Sequence, residues 1–144
     1  MVNYSFFAII EGALKDLADG PRFFELLADD IEMEFVFAPP GTPTGIKTRQ
    51  AIIDSFHGYG DILVLDTAQL TNRFVTDKPG VVILQYACQG KGVQTGKPYD
   101  QHYVSILTIR NRKVVHWTDY WDPLVSIQAI GGTNALKNAM YDGG

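Results

Sequence analysis

The apolar positions of this chain follow two periods in turn. Over Tyr4–Ala18, Phe6, Ile9, Ile10, Ala13, Leu14 and Leu17 recur at the spacing of one helix face. Asp19-Gly20-Pro21 breaks that run. Pro21 suits the first turn of a second, short helix with Phe23, Phe24, Leu26 and Leu27 as its apolar side. Alternation then takes over: Ile31, Met33, Phe35 and Phe37 fall on one side of a strand, Glu32 and Glu34 on the other. Lys47–Tyr59 predicts a third helix with Ala51, Ile52, Ser55 and Phe56 inward and His57 near its C-terminus, where a cation is favoured. Ile62–Phe74 and Val81–Gln89 read as strands joined by the turn Thr76-Asp77-Lys78-Pro79-Gly80.

Tyr99–Pro123 is the richest stretch. Gln101–Arg110 and Lys113–Trp121 read as a long antiparallel hairpin with Asn111-Arg112 as its two loop residues. Counting outward from Arg110 opposite Lys113 places Ile106 opposite Trp117, Val104 opposite Asp119 and His102 opposite Trp121. One face would then carry His102, Val104, Ile106, Val115, Trp117, Asp119 and Trp121, because side chains alternate along a strand. His102 and Asp119 would be diagonal neighbours that long side chains can bridge. A slip of one residue would break that pairing. Asp122-Pro123 predicts an N-cap and first helical position, followed by a stripe of Leu124, Ile127 and Ile130 that ends at Gly131-Gly132. Thr133 caps a last short helix through Met140.

Helices come early and long strands late, an α+β pattern with helices over one face of a curved sheet. Ala38–Gly45, with three of the seven prolines, is long enough for a lid or rim, and Gly90–Pro98 is a second loop. The 144 residues fit a single domain spanning 1–144. At 46% hydrophobic and 19% charged, the chain has the composition of a folded protein. A net charge of −4 without any basic run argues against nucleic-acid binding, and no apolar run approaches the length of a membrane span. The start, Met1-Val2-Asn3-Tyr4-Ser5, lacks the basic region of a signal peptide, and the lone Cys88 excludes an intrachain disulfide. Together these point to the cytoplasm. Cys88 reads as core filler. The three histidines lack metal-ligand spacing and no phosphate loop is present, so neither a metal nor a cofactor is expected.

Element order and closing motif resemble the nuclear transport factor two-like superfamily, with its ketosteroid isomerases, limonene-epoxide hydrolases and SnoaL-like polyketide cyclases. The resemblance rests on the paired opening helices, the F-V-F-A-P-P-G stretch, the Gly45…Ala51-Ile52 helix start and K-V-V-H-W-T-D-Y-W-D-P from Lys113 to Pro123. It implies a cone-shaped, curved antiparallel (mixed) sheet covered by N-terminal helices and enclosing an apolar pocket. It also implies a homodimer through the outer sheet face. Asp119 matches a pocket carboxylate of the epoxide hydrolases. Their Arg-x-Asp pair has no counterpart in Ile83–Ala87, and Arg49, Arg73 and Asp100 are the only other candidates for it.

The expected site is therefore Asp119 as general base with His102 as its partner. Trp117, Trp121, Tyr86, Tyr103, Phe35 and Phe56 would hold a small hydrophobic molecule. Tyr86 or Tyr103 would be a hydrogen-bond donor. Cofactor-free acid–base isomerisation or cyclisation is the leading function. The alternatives are a non-catalytic ligand-binding protein of the same fold and an epoxide hydrolase.

Overall fold

The computed structural model describes residues 4–141; the start read for a signal peptide, Met1-Val2-Asn3, lies outside them. A helix α1 (Tyr4–Leu14) leads through a single 3-10 turn (Phe23–Leu26) into strand β1 (Leu27–Phe35). A short β2 (Gly45–Lys47), α2 (Arg49–Tyr59), β3 (Leu63–Val75), β4 (Val81–Gly92), β5 (Gln101–Arg110) and β6 (Lys113–Trp121) follow, then α3 (Pro123–Ile130) and α4 (Thr133–Tyr141). The strands form one sheet in the order β2-β1-β6-β5-β4-β3. β1 runs parallel to β6, and the other pairs are antiparallel. Among the described residues no helix is long and apolar enough to cross a membrane.

The expected second helix is replaced by that 3-10 turn. Leu26 and Leu27 are buried at the point where the chain turns into β1, so the apolar run serves the sheet rather than a helix face. Phe37, expected on the inner side of the strand, lies beyond its end, is 57% exposed and packs on Tyr120 of the outer face. Ile31, Met33 and Phe35 point inward as expected.

The β5–β6 hairpin has the expected ends and turn, but its pairing differs from expectation. Asn111 and Arg112 both adopt positive φ (52° and 65°), the conformation a two-residue hairpin loop needs. Arg112 is a poor residue for that conformation, and its side chain explains its presence. The guanidinium donates to the Asp16 carbonyl (3.0 Å) and the Asp19 carboxylate (2.8 Å), while Lys113 Nζ donates to the carbonyls of Asp19 (2.6 Å) and Glu25 (2.7 Å). The hairpin tip thus ties down the link between α1 and β1.

Beyond the turn, Ile109 pairs with Val114 but Thr108 pairs with His116. Val115 is an extra, unpaired residue, a β-bulge. Val114 and Trp117 are both buried although three residues apart, which a regular strand of period two forbids. The bulge reconciles them. It also shifts every later pair by one, so Leu107 faces Trp117, Ser105 faces Asp119 and Tyr103 faces Trp121.

The core lies between the helices and the concave sheet face. Leu14, Ile31, Ile52, Leu84, Leu107 and Trp117 form its centre. At the sheet's other end, Gly92 lets β4 pass so close to α3 that an added Cβ would collide with the Ala129 carbonyl. Gln101, fully buried, clips β5 to α3. Its Oε1 accepts from the backbone N–H of His102 (3.0 Å) and Asp122 (2.8 Å); its Nε2 donates to the Asp122 carbonyl (2.9 Å) and Ser126 Oγ (3.2 Å). Asp122 caps α3 by accepting from the Leu124 N–H at 2.9 Å.

These two side chains make a graded prediction. Asp122→Ala removes one exposed cap and costs about 1 kcal/mol. Gln101→Leu strands several buried groups at once and costs roughly 2–4 kcal/mol. Urea unfolding checks this; equal losses would show that the clip contributes no more than a cap.

Candidate active site

The inner sheet face and the helices enclose a cavity of about 110 Å³. β6 supplies Trp117, Asp119 and Trp121, β4 supplies Tyr86, and β5 supplies Tyr103. Phe35 from β1 and Phe56 from α2 complete the set expected from sequence, and all of these reach the cavity. Among the described residues that line the cavity, Asp119 is the only carboxyl, and none is Lys, Arg or His.

His102 does not join them. The bulge places it on the opposite face from Asp119, where it is exposed over a shallow outer hollow with Phe37, Val104 and Tyr120. The expected His102–Asp119 pair is therefore replaced by a Ser105–Asp119 pair. Fully buried Ser105 donates from Oγ to Asp119 Oδ1 at 2.7 Å. Trp117 Nε1 donates to the same oxygen at 3.4 Å. The Tyr86 hydroxyl lies 2.7 Å from Ser105 Oγ. Since the single serine proton is committed to Asp119, Tyr86 is the donor in that contact. The result is a directed chain, Tyr86 to Ser105 to Asp119. Among the described residues no group hydrogen-bonds Oδ2, and no buried side-chain polar atom is sealed off without a partner. Oδ2 is thus the oxygen left to face an occupant of the cavity.

Burial dominates the electrostatics. It pushes the Asp119 carboxyl up from 3.8 to about 7, against the opposing pull of the Ser105 and Trp117 hydrogen bonds. The Tyr86 hydroxyl is held well above its ordinary value by burial and then by the neighbouring Asp119 charge. Tyr59, at the end of α2, is raised by burial and, more weakly, by the same carboxylate. A second polar group stands on the same cavity, where the Tyr99 and Tyr103 hydroxyls bond each other at 2.8 Å. The Tyr103 ring stacks on Tyr86 with centroids 4.9 Å apart.

Ser105, Tyr59, Tyr99 and Ser126 were not expected at the site. Ser105 could have been found only by allowing for a bulge at the adjacent apolar pair Val114-Val115, which permits either face. Cys88 is buried, and burial raises its thiol to about 11, in keeping with core filler. Arg49 and Arg73 bind Asp29 (2.9 Å) and Asp16 (3.0 Å), and neither they nor exposed Asp100 line the cavity. Among the described residues no cluster of His, Cys, Asp and Glu could hold a metal ion.

The fold agrees with the comparisons. No family model matches the chain. The protein YesE of Bacillus subtilis, itself uncharacterised, is 33% identical over 115 residues, covering 80% of this chain and 78% of that one. A solved Bacillus subtilis protein provisionally named an isomerase superposes with a TM-score of 0.74 at 29% identity, covering 91% of this chain and 98% of that one. A solved nuclear transport factor two-like protein from Burkholderia pseudomallei gives 0.67 at 14% identity, covering 88% and 94%.

The chain belongs to one family with YesE and has the nuclear transport factor two-like fold.

The same fold recurs in solved proteins named as a SnoaL-like polyketide cyclase, as ketosteroid isomerase-like and as related to phenazine biosynthesis. At identities of 16%, 12% and 17% these show the fold and not an activity.

The raised carboxyl makes a stability prediction. Below pH about 4 Asp119 is protonated in both folded and unfolded chains. Between there and about 7 the unfolded chain ionises while the folded carboxyl keeps its proton, so stability falls as pH rises and levels off above about 7. The shift from 3.8 to about 7 corresponds to on the order of 4 kcal/mol at 1.36 kcal/mol per pH unit. In Asp119→Asn this fall disappears. Denaturation of both proteins from pH 4 to 8 should show the variant gaining on the wild type up to about pH 7 and holding level beyond it. A constant difference would mean that Asp119 titrates normally.

Proposed function

We propose that this protein performs cofactor-free acid–base chemistry, isomerisation or cyclisation, on a small hydrophobic molecule, with Asp119 carrying the proton. One observation supports this above the rest: a lone buried carboxyl, raised to about 7, stands on an aromatic cavity with Oδ2 unengaged. A group with that affinity can remove a proton next to a carbonyl at neutral pH and return it elsewhere on the same molecule. The Tyr86–Ser105 chain holds Oδ1 and leaves Oδ2 to react. Of the paired Tyr99 and Tyr103 hydroxyls, the one that accepts keeps its proton free to donate to the oxygen on which charge develops. The cavity volume of about 110 Å³ is below the ~150 Å³ that accepts benzene, so a ring-sized substrate needs side-chain movement to enter.

An epoxide hydrolase of the expected type needs an arginine and a second carboxylate beside Asp119, and the lining residues include neither. The partially buried outer face of the sheet, with Ile83, Val104, Ile106 and Tyr120, is where a second copy of the chain would pack.

Proton exchange tests the chemistry without knowledge of the natural substrate. A panel of small cyclic ketones with β,γ-unsaturation is incubated with the protein in D2O, and deuterium uptake is followed by NMR. Uptake should rise with pH to a plateau above about 7, the ionisation of Asp119. It should drop roughly 10²–10⁴-fold in Asp119→Asn. Ser105→Ala, which removes a hydrogen bond to the charged form, should move the midpoint upward. Uptake unchanged in Asp119→Asn would refute the assignment. Ketones that bind without exchanging would leave a binding protein of this fold.

A further inference from the structure

The polar groups on the cavity gather at two ends. On the inner sheet face Ser105 pairs with Leu84, Tyr103 with Tyr86 and Gln101 with Cys88. Tyr86 leans from the middle pair toward the first, where its hydroxyl meets Ser105 Oγ at 2.7 Å and Ser105 in turn meets Asp119. Tyr103 leans the other way. Its hydroxyl meets that of Tyr99 at 2.8 Å and also bonds the Cys88 thiol of the last pair. Two further hydroxyls sort with these ends: Tyr59 feels the Asp119 charge, and Ser126 hydrogen-bonds Tyr99. Between the ends the wall is aromatic. The Tyr86 and Tyr103 rings lie 13° from parallel, and Phe6 packs edge-on against both, with centroids 5.8 and 5.6 Å away.

The spacing of the ends sets the length of an occupant. Ser105 lies four residues along β5 from Gln101, so at ~3.3 Å per residue the two polar ends stand roughly 10–13 Å apart. Hydrogen bonds of ~2.8 Å at both ends leave roughly 4–7 Å between the occupant's own polar atoms, the reach of about three to five carbons. A volume of about 110 Å³ drawn out over that length is a narrow slot, which suits an open chain better than a ring. An anionic group beside Asp119 would meet a like charge. Among the described lining residues the tyrosine end has no Lys, Arg, His or carboxyl to balance an ion. Hydroxyl or carbonyl oxygens suit both ends, because each end can hydrogen-bond them.

We propose that the cavity takes a small, neutral, open-chain molecule with an oxygen at each end, one hydrogen-bonded to Asp119 Oδ2 and the other to the Tyr99–Tyr103 pair, its carbon chain lying along the rings of Tyr86 and Tyr103. Unsaturation in that chain would carry charge from the end where Asp119 takes a proton to the oxygen held by the tyrosines, so both groups serve one reaction across this distance. The proposal rests on the proposed function only in taking the cavity as the substrate site. It needs no proton transfer, so ketone exchange can fail while end-to-end binding succeeds, and the reverse.

A chain-length series tests it: α,ω-diols from 1,3-propanediol to 1,7-heptanediol, each titrated beside the primary alcohol of equal length. Trp117 and Trp121, the chain's two tryptophans, both line the cavity, so their fluorescence reports occupancy. Affinity of the diols should peak inside the series, at about four or five carbons. There the diol should exceed its alcohol roughly three- to tenfold, the worth of one added hydrogen bond. The alcohols, held at one end only, should rise steadily with length. Combining Tyr99→Phe with Tyr103→Phe keeps both rings and removes the far end, so the peak should flatten and the diols lose their advantage. No binding of any diol, a diol affinity that rises steadily through the series, or a peak unchanged in the double variant would each overturn the proposal. The wild-type series decides by itself, so the test stands even where the double variant fails to fold.

Discussion

One extra residue in β6 governs the inside of this protein. Val114 and Trp117 both belong to the core, yet an odd number of steps separates them, and an unbroken strand would expose one of the two. The bulge at Val115 resolves the conflict by changing which residues of β5 lie opposite. Everything beyond it follows. Ser105 rather than Val104 sits across from Asp119, Tyr103 rather than His102 sits across from Trp121, and the imidazole is sent to the outer face. With the other parity a histidine would stand near Asp119, and a cationic neighbour would lower the carboxyl rather than leave burial to raise it.

The carboxyl is thus held between two opposing effects. Burial penalises its charge, while Ser105 and Trp117 stabilise it through a single oxygen. Burial wins, and the balance falls near neutrality. The Tyr86 hydroxyl adds to the serine's polarity without reaching the carboxylate itself. None of this would persist on a loose scaffold. The hairpin carrying Asp119 is pinned at its tip by Arg112 and Lys113, which bind the chain after α1, and at its other end by Gln101, which binds the start of α3. Most of the acceptors in both clips are backbone carbonyls, and together the clips fix the two ends of the hairpin.

A shared fold does not fix an activity, and the lining residues decide chemistry. Here the lining combines many aromatic rings with a single carboxyl and a pair of tyrosine hydroxyls. The absence of an arginine or a second carboxylate among the lining residues separates it from the pattern of the epoxide hydrolases.

Local chemistry in the chain was enough to determine the elements with strong, self-contained signals. The β5 and β6 boundaries, their two-residue turn, the Asp122-Pro123 helix start and the apolar faces of α1 and α2 all depend on neighbours a few residues apart. The aromatic side chains of the cavity were legible for the same reason: Trp117, Asp119 and Trp121 share a face whatever lies opposite. Three features were decided only by the tertiary structure. The run at Phe23–Leu27 became a 3-10 turn and the start of β1 because sheet burial outweighed helical spacing. Phe37 was left outside because β1 ends two residues before it. The partner of Asp119 changed from His102 to Ser105 because adjacent valines satisfy either parity, and only packing of Val114 and Trp117 into one core selects between them.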